Sequence, residues 1–140
     1  MREHDIYRLI AQYLQVKYPD VIYRFDLAAD LKLTMGQARK HKTLHPHRGY
    51  PDLFIAEPLG YLGERFPDSV AGQMEVAGLF LELKKDGTRL KKKNGEWATP
   101  HIAEQAEMLA RLVKRGYMAE FAVGIDEALE IIDEYLGGGK

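Results

Sequence analysis

Apolar residues at helical spacing predict four helices in this chain. Apolar side chains recur every three or four positions through residues 3–18, and Pro19 then ends the first helix. The second helix begins at Thr34, which has the spacing of a capping box with Gln37, and continues to about Leu44. The other two helices are predicted from Pro100 to about Arg115, and from Asp126 through Leu136.

Alternating or continuous apolar runs predict four strands between these helices, at residues 21–26, 52–56, 79–84 and 117–123. The run at 79–84 is almost entirely apolar, which is typical of a central strand. Residues 58–77 show little periodicity and are predicted to be irregular. The resulting order of elements favours an α/β fold, a mixed sheet flanked by helices, as one domain over residues 1–136 with a flexible tail at 137–140.

Basic and acidic residues are distributed unevenly along the chain. The chain of 140 residues contains no cysteine, which excludes disulfides and thiolate chemistry, and its net charge is −1. Residues 32–93 nevertheless hold twelve basic and seven acidic side chains, whereas residues 94–140 hold four basic and nine acidic ones. Because a polyanion responds to a local cationic surface, a nucleic-acid partner remains compatible with the balanced total.

Two predicted strands carry acidic residues at their ends. Pro51-Asp52 leads directly into one strand, and Glu82 and Lys84 lie two apart near the end of another, so both project to the same face. If the strands pair in the right register, the two carboxylates lie within about 5 to 6 Å of each other. The alternative is an ordinary turn aspartate and a solvated strand end.

Two carboxylates at this separation suit a divalent cation. Mg²⁺ or Mn²⁺ prefers oxygen ligands, which Asp52, Glu82 and the backbone carbonyl of Leu83 would supply together with a substrate phosphate. Such an ion can activate a bound water for phosphodiester hydrolysis. Lys84 would orient that water or neutralise the developing negative charge.

These motifs resemble those of the VRR-NUC family of virus-type replication and repair nucleases, within the PD-(D/E)xK superfamily. The similarity lies in an acidic residue on the first helix, a Pro-Asp before a strand, a Glu-x-Lys at a strand end and a glutamine on the following helix. In this chain these are Glu3, Asp52, Glu82-Leu83-Lys84 and Gln105. Val113-Lys114-Arg115 is similar to the family's Val-Arg-Arg signature but has lysine in the middle place, which loses a planar guanidinium.

The resemblance implies a restriction-endonuclease-like fold and a catalytic set of Glu3, Asp52, Glu82, Lys84 and Gln105. Asp52 and Glu82 would bind metal, Glu3 would add an acid, and Gln105 would brace the site. Glu3 has a simpler explanation as a first-turn acid that the helix dipole favours. The resemblance also implies a homodimer, because single domains of viral origin in this family look like homodimeric structure-selective DNA nucleases, including junction-resolving ones. Two sites related by a two-fold axis could then cut symmetry-related strands.

Basic residues near these motifs are candidates for contact with the DNA backbone. Nine of them are assigned to this role: Arg39, Lys40, Lys42, Arg48, Lys85, Arg89, Lys91, Lys92 and Lys93. The alternative for the three consecutive lysines is a solvated loop. Trp97, in the same loop, is expected either to stack on an unpaired base or to pack the loop against the domain.

The sequence therefore predicts a metal-dependent, structure-selective DNA endonuclease that resolves junctions or cleaves branched DNA, for example in repair. The alternatives are a non-catalytic DNA-binding module of the same fold, or a nuclease acting on flaps, single strands or RNA. No apolar run is long enough to span a membrane, and the N-terminus lacks signal-peptide features. The expected location is the cytoplasm of a bacterial or phage-infected cell.

Overall fold

The computed structural model describes residues 1–26, 32–60 and 74–137. Four helices and six strands are present in these ranges. The helices are α1 (Glu3–Lys17), α2 (Met35–Leu44), α3 (Pro100–Lys114) and α4 (Ile125–Leu136). The strands are β1 (Tyr23–Phe25), β2 (Leu53–Ile55), β3 (Leu59–Gly60), β4 (Met74–Val76), β5 (Leu79–Lys84) and β6 (Met118–Val123).

The main sheet has the strand order β1-β2-β5-β6. β1 pairs antiparallel with β2, and β2 antiparallel with β5, whereas β5 and β6 run parallel. The parallel pair requires a crossover, which α3 provides. The structure thus confirms the predicted α/β class with a mixed sheet flanked by helices.

The hydrophobic core lies on one face of this sheet. α1 and α4 pack against each other and against β5 there, so that Leu79, Leu81 and Leu83 are fully buried among residues such as Ile10 and Ile132. α3 packs against β6. Since both faces of β5 are covered, the strand is buried along nearly its whole length, as its continuous apolar run predicts.

Local sequence signals place the helix ends. Thr34 and Gln37 form the reciprocal capping box that opens α2, and the Thr99 side chain accepts a hydrogen bond from the Ile102 N–H at the start of α3. Gly137 ends α4 in the left-handed conformation. The predicted helix and strand positions agree with the structure to within a few residues, the largest difference being that β1 is shorter than the predicted run 21–26.

The stretch predicted as irregular is partly ordered. Leu59–Gly60 and Met74–Val76 pair antiparallel as a separate two-stranded ribbon, with a register shift between Leu59 and Gly60. Strands of two and three residues have too few positions for a period to show in sequence. Residues 61–73, and the tail residues 138–140, lie outside the described residues.

Candidate active site

The β2–β5 register places the two sequence-predicted carboxylates at one end of the sheet. Leu53 pairs with Leu81, and continuing this antiparallel ladder by one residue sets Asp52 opposite Glu82. Asp52 accepts a hydrogen bond through Oδ2 from the Leu83 N–H at 2.8 Å. The backbone of the Glu-x-Lys motif therefore holds the Asp52 carboxylate directly.

Glu82 is a buried carboxylate, only 3% exposed, and it faces α3. Its Oε1 accepts a hydrogen bond from the Nε2 of Gln105, which is also buried. Burial first, and then the hydrogen bond and negative charge of Asp52, raise the pKa of Glu82 well above its usual range, while the charge of Lys84 offsets part of that effect. Glu82 is thus not a solvated strand end.

Two oxygen atoms of this pair have no hydrogen-bond partner among the described residues, namely Oε2 of Glu82 and Oε1 of Gln105. Leaving buried acceptors without a partner is costly in an interior that otherwise satisfies its polar groups. When Glu82 is ionised, both atoms are acceptors, and a bound cation would satisfy them directly. Oxygen ligands are also what Mg²⁺ and Mn²⁺ prefer, and the residues present fit such an ion.

Few acidic side chains in the described ranges are close enough together to bind an ion. No group of three His, Cys, Asp or Glu side chains is arranged to hold a metal ion within residues 1–26, 32–60 and 74–137. An ion here would therefore be held by Asp52 and Glu82, with amide or backbone carbonyl oxygens and solvent completing its shell.

Tyr7 joins this cluster from α1, and the sequence interpretation did not include it. Burial, followed by the charge of Asp52 and a hydrogen bond to it, raises the pKa of the Tyr7 hydroxyl, and the charges of Glu3 and Glu82 add to the rise. Glu3 therefore lies close enough to Tyr7 for its charge to act on the hydroxyl that contacts Asp52. The available signal was spacing, because Glu3 and Tyr7 are four residues apart and share a helix face.

Gly49 sets the distance between the loop before β2 and helix α3. Its φ is +73°, and a Cβ at this position would lie 3.0 Å from the Glu104 carbonyl oxygen and 3.2 Å from the Gln105 Cα. Only glycine accommodates both the positive φ and this close approach. The Gly-Tyr-Pro-Asp segment is therefore packed directly on the helix that carries Gln105.

The nine predicted DNA-contacting residues are all exposed. Arg39, Lys40 and Lys42 lie on α2, and Arg48 follows it, 3.8 Å from Glu104. The other five lie in the loop between β5 and α3, which reverses at Asn94-Gly95 and forms a bridge between Lys91 and Trp97.

Trp97 packs the basic loop onto the sheet. Its ring lies 5.7 Å from that of Phe121, and the Lys91 ammonium lies 4.8 Å above it. Phe121 is the register partner of Glu82, so the loop is anchored beside the candidate site. Of the two expectations for Trp97, the structure shows the packing contact.

Comparisons with known proteins agree with this geometry at the level of fold. No family model and no curated protein matches the chain. A solved structure described as a VRR_NUC domain protein is similar to it, with a TM-score of 0.63, 24% sequence identity, and coverage of 98% of this chain and 89% of that one. The chain thus has the fold of a VRR-NUC domain, as the resemblance of its motifs predicts.

Proposed function

We propose that this protein is an Mg²⁺- or Mn²⁺-dependent DNA endonuclease that cleaves branched or junction DNA as a homodimer. The observation that carries the proposal is the buried Glu82–Gln105 pair, in which one oxygen of each residue has no hydrogen-bond partner within the described ranges. Glu82 also lies opposite Asp52 at the end of the sheet. The fold shared with a VRR_NUC domain protein supports a nuclease-type activity. Exposed basic residues on α2 and in the β5–α3 loop support contact with a polyanion.

Each residue of the site has a distinct task in this proposal. Asp52, held by the Leu83 N–H, and Glu82, held by Gln105, would bind the ion. The ion, when bound, supplies Lewis-acid stabilisation of the phosphate and a more acidic water. Lys84 has a positive charge that acts on Glu82. The same charge would stabilise the negative charge that develops on the scissile phosphate. Glu3 adds an acid from α1.

The test is a panel of labelled DNA substrates: a four-way junction, a flap, a single strand and a linear duplex. Each is incubated with purified protein and Mg²⁺, Mn²⁺ or EDTA. We expect metal-dependent cleavage of the branched substrates and its loss in Asp52→Asn. Asp20→Asn is the matched control, because Asp20 is exposed and lies after α1, and it should cleave as the wild type does.

Three outcomes would contradict parts of the proposal. Failure to cleave any DNA in either metal, with salt-sensitive DNA binding retained, would favour a non-catalytic DNA-binding module. Unchanged cleavage by Asp52→Asn would reject the site. A monomer in sedimentation at micromolar concentration would reject the homodimer.

Membrane spanning receives no support from the helices. Among the helices of the described segments, none has the length and apolar character needed to cross a bilayer.

A further inference from the structure

A groove of about 600 Å³ lies between α2 with its following loop and the β1–β2 side of the sheet. Its lining combines apolar and polar side chains, among them Phe25, Leu44, Tyr50 and Phe54 with His41 and His45. Pro51 also lines it, so the groove ends one residue from Asp52. No step of the proposed reaction uses this groove.

We propose that the groove binds an unpaired nucleotide of a single-stranded DNA segment, next to the bond that is cut. The inference rests on the proposed nuclease function and names its substrate class: DNA in which at least one base near the scissile phosphate is not paired. In this proposal the base enters the groove, and the phosphates of the same strand contact the basic residues near the groove.

Charge complementarity favours a nucleic acid over a protein or a second copy of this chain. Residues 32–51 contain five Lys or Arg, three His and no Asp or Glu. Within the described chain, α2 buries none of its residues, so its basic side chains are available to solvent on the same helix that contributes His41 and Leu44 to the groove. A segment this rich in cations attracts phosphates and repels a second copy of itself.

Aromatic rings suit the groove to an unpaired base. Tyr50 is 44% exposed, and its ring is held edge-on against Phe80 at 5.7 Å. Phe54 stacks on the same Phe80 ring at 4.4 Å. A base can stack on such rings only when it has left the duplex, and stacking of this kind tolerates any sequence.

Polar groups in the groove match the edge of a base. Asp26, Arg24 and three histidines line it, and together they offer both hydrogen-bond donors and acceptors. In a duplex the Watson–Crick edge is occupied by pairing, whereas an unpaired base presents it. Tyr50 and Asp52 are two residues apart, at most about 7 Å along the chain, so neighbouring nucleotides can reach the groove and the site.

The experiment measures DNA binding without cleavage. Fluorescence anisotropy in EDTA compares a labelled oligothymidine, a blunt duplex and the same duplex with a single-stranded tail. Tyr50→Leu removes the ring but retains bulk, and we expect it to weaken binding of the oligothymidine and the tail about tenfold while changing blunt-duplex affinity less than twofold. Leu44→Glu, on the rim of the groove, should also weaken single-strand binding.

Val16→Glu is the matched control for Leu44→Glu. Val16 is 84% exposed on α1, outside the groove, and the same charge there should leave single-strand affinity within twofold of wild type. Photocrosslinking of an oligonucleotide that carries 5-iodouracil should modify Tyr50. A parallel arm compares oligodeoxyuridine with oligouridine, which differ only in the 2′-hydroxyl. Tighter binding of the RNA would overturn the assignment of the groove to DNA.

The results distinguish this inference from the proposed function. Tyr50-dependent single-strand binding by a protein that cleaves no DNA would uphold the groove and reject the nuclease. Cleavage of branched DNA with unchanged single-strand binding in Tyr50→Leu and Leu44→Glu would do the reverse. Equal losses on blunt and tailed duplexes would overturn the groove assignment, as would a wild-type dimer that Leu44→Glu converts to a monomer.

Discussion

Two polar clusters in different parts of this molecule are each built around a carboxyl group, Asp133 in one and Glu82 in the other. They differ in how many hydrogen bonds the carboxyl oxygens accept. Asp133 on α4 accepts hydrogen bonds from the hydroxyls of Tyr13 and Tyr18 and from the Lys17 ammonium, at 2.6 to 3.0 Å. In contrast, one oxygen of Glu82 accepts a hydrogen bond from Gln105, and its other oxygen has no hydrogen-bond partner among the described residues.

The pKa shifts of the two groups point in opposite directions. Burial alone would raise the pKa of Asp133, but the hydrogen bonds from Tyr13, Tyr18 and Lys17 outweigh it and hold the pKa below its ordinary value. Burial and the Asp52 carboxylate raise the pKa of Glu82. The Asp133 cluster therefore fastens α1 to α4, whereas the burial of Glu82 beside Asp52 carries a cost that the proposed metal ion would offset.

The largest expected effect tests the cost of the Glu82 cluster. Glu82→Gln keeps the shape and the hydrogen bond to Gln105 but removes the buried ionisable carboxyl group. We expect cleavage to fall on the order of 1000-fold, as when a group that stabilises transition-state charge is lost. Thermal unfolding in EDTA should show a gain of about 1 to 3 kcal/mol over wild type, because burying a carboxylate beside Asp52 is costly.

A Glu82→Gln variant that is less stable than wild type in EDTA would contradict this contrast, since Glu82 would then stabilise the fold as Asp133 does. Retained cleavage would remove Glu82 from the active site.

Asp133→Asn makes the opposite prediction. The variant loses the charge that accepts three hydrogen bonds, so we expect unfolding to cost about 2 kcal/mol less, with cleavage within about twofold of wild type. Urea denaturation followed by circular dichroism measures the first, and the junction assay the second. A cleavage defect as large as that of Glu82→Gln, in a protein still folded at the assay temperature, would contradict the division between the two clusters.

Tyr7→Phe tests whether the tyrosine hydroxyl positions Asp52. The variant keeps the ring that stacks on Phe25 at 5.3 Å and removes only the hydroxyl next to Asp52. We expect about a tenfold loss of kcat, the scale of a group acting through a metal ligand, together with a higher Mg²⁺ concentration at half-maximal rate. Tyr13→Phe is the matched control, because it removes a hydroxyl bonded to Asp133 instead. Equal metal requirements in the two variants would show that Tyr7 has only a packing role.

The most gradual effect is the pH dependence of stability, which changes by at most about 1.4 kcal/mol per pH unit for one proton. Because the pKa of Glu82 is raised on folding, its stabilising contribution is present below the ordinary glutamate pKa and is lost as pH rises. The advantage of Glu82→Gln in EDTA should therefore grow from pH 5 to pH 8. The pKa of Asp133 is lowered on folding, so its contribution to stability is lost as pH falls. The loss of stability caused by Asp133→Asn should therefore shrink below about pH 4. Parallel pH profiles for the two variants would contradict the opposite shifts.

Local signals made much of the fold predictable. Thr34 with Gln37, and Thr99 with Pro100, begin helices where their capping chemistry predicts, because a cap depends on residues three apart in sequence. The continuous apolar run of β5 likewise predicts a strand covered on both faces. These features require no knowledge of distant contacts.

The site was predictable in residue types but not in its environment. Register between β2 and β5 decides whether Asp52 faces Glu82, and a shift of one residue would place these side chains on opposite faces. The burial of Glu82 depends on how α3 packs, and Tyr7 reaches Asp52 only through the docking of α1. These features depend on tertiary structure, so the sequence alone predicted which acidic residues lie at the ends of the strands but not the cost of burying Glu82.

Helix α2 has one further consequence for how this protein can change. None of its residues is buried in the described structure, although Met35 and Leu44 are large and apolar. Substitutions along it therefore leave the folding core untouched and alter only what the helix meets outside the chain. If α2 contacts nucleic acid as proposed, its binding preference can change by substitution with little effect on the stability of the domain.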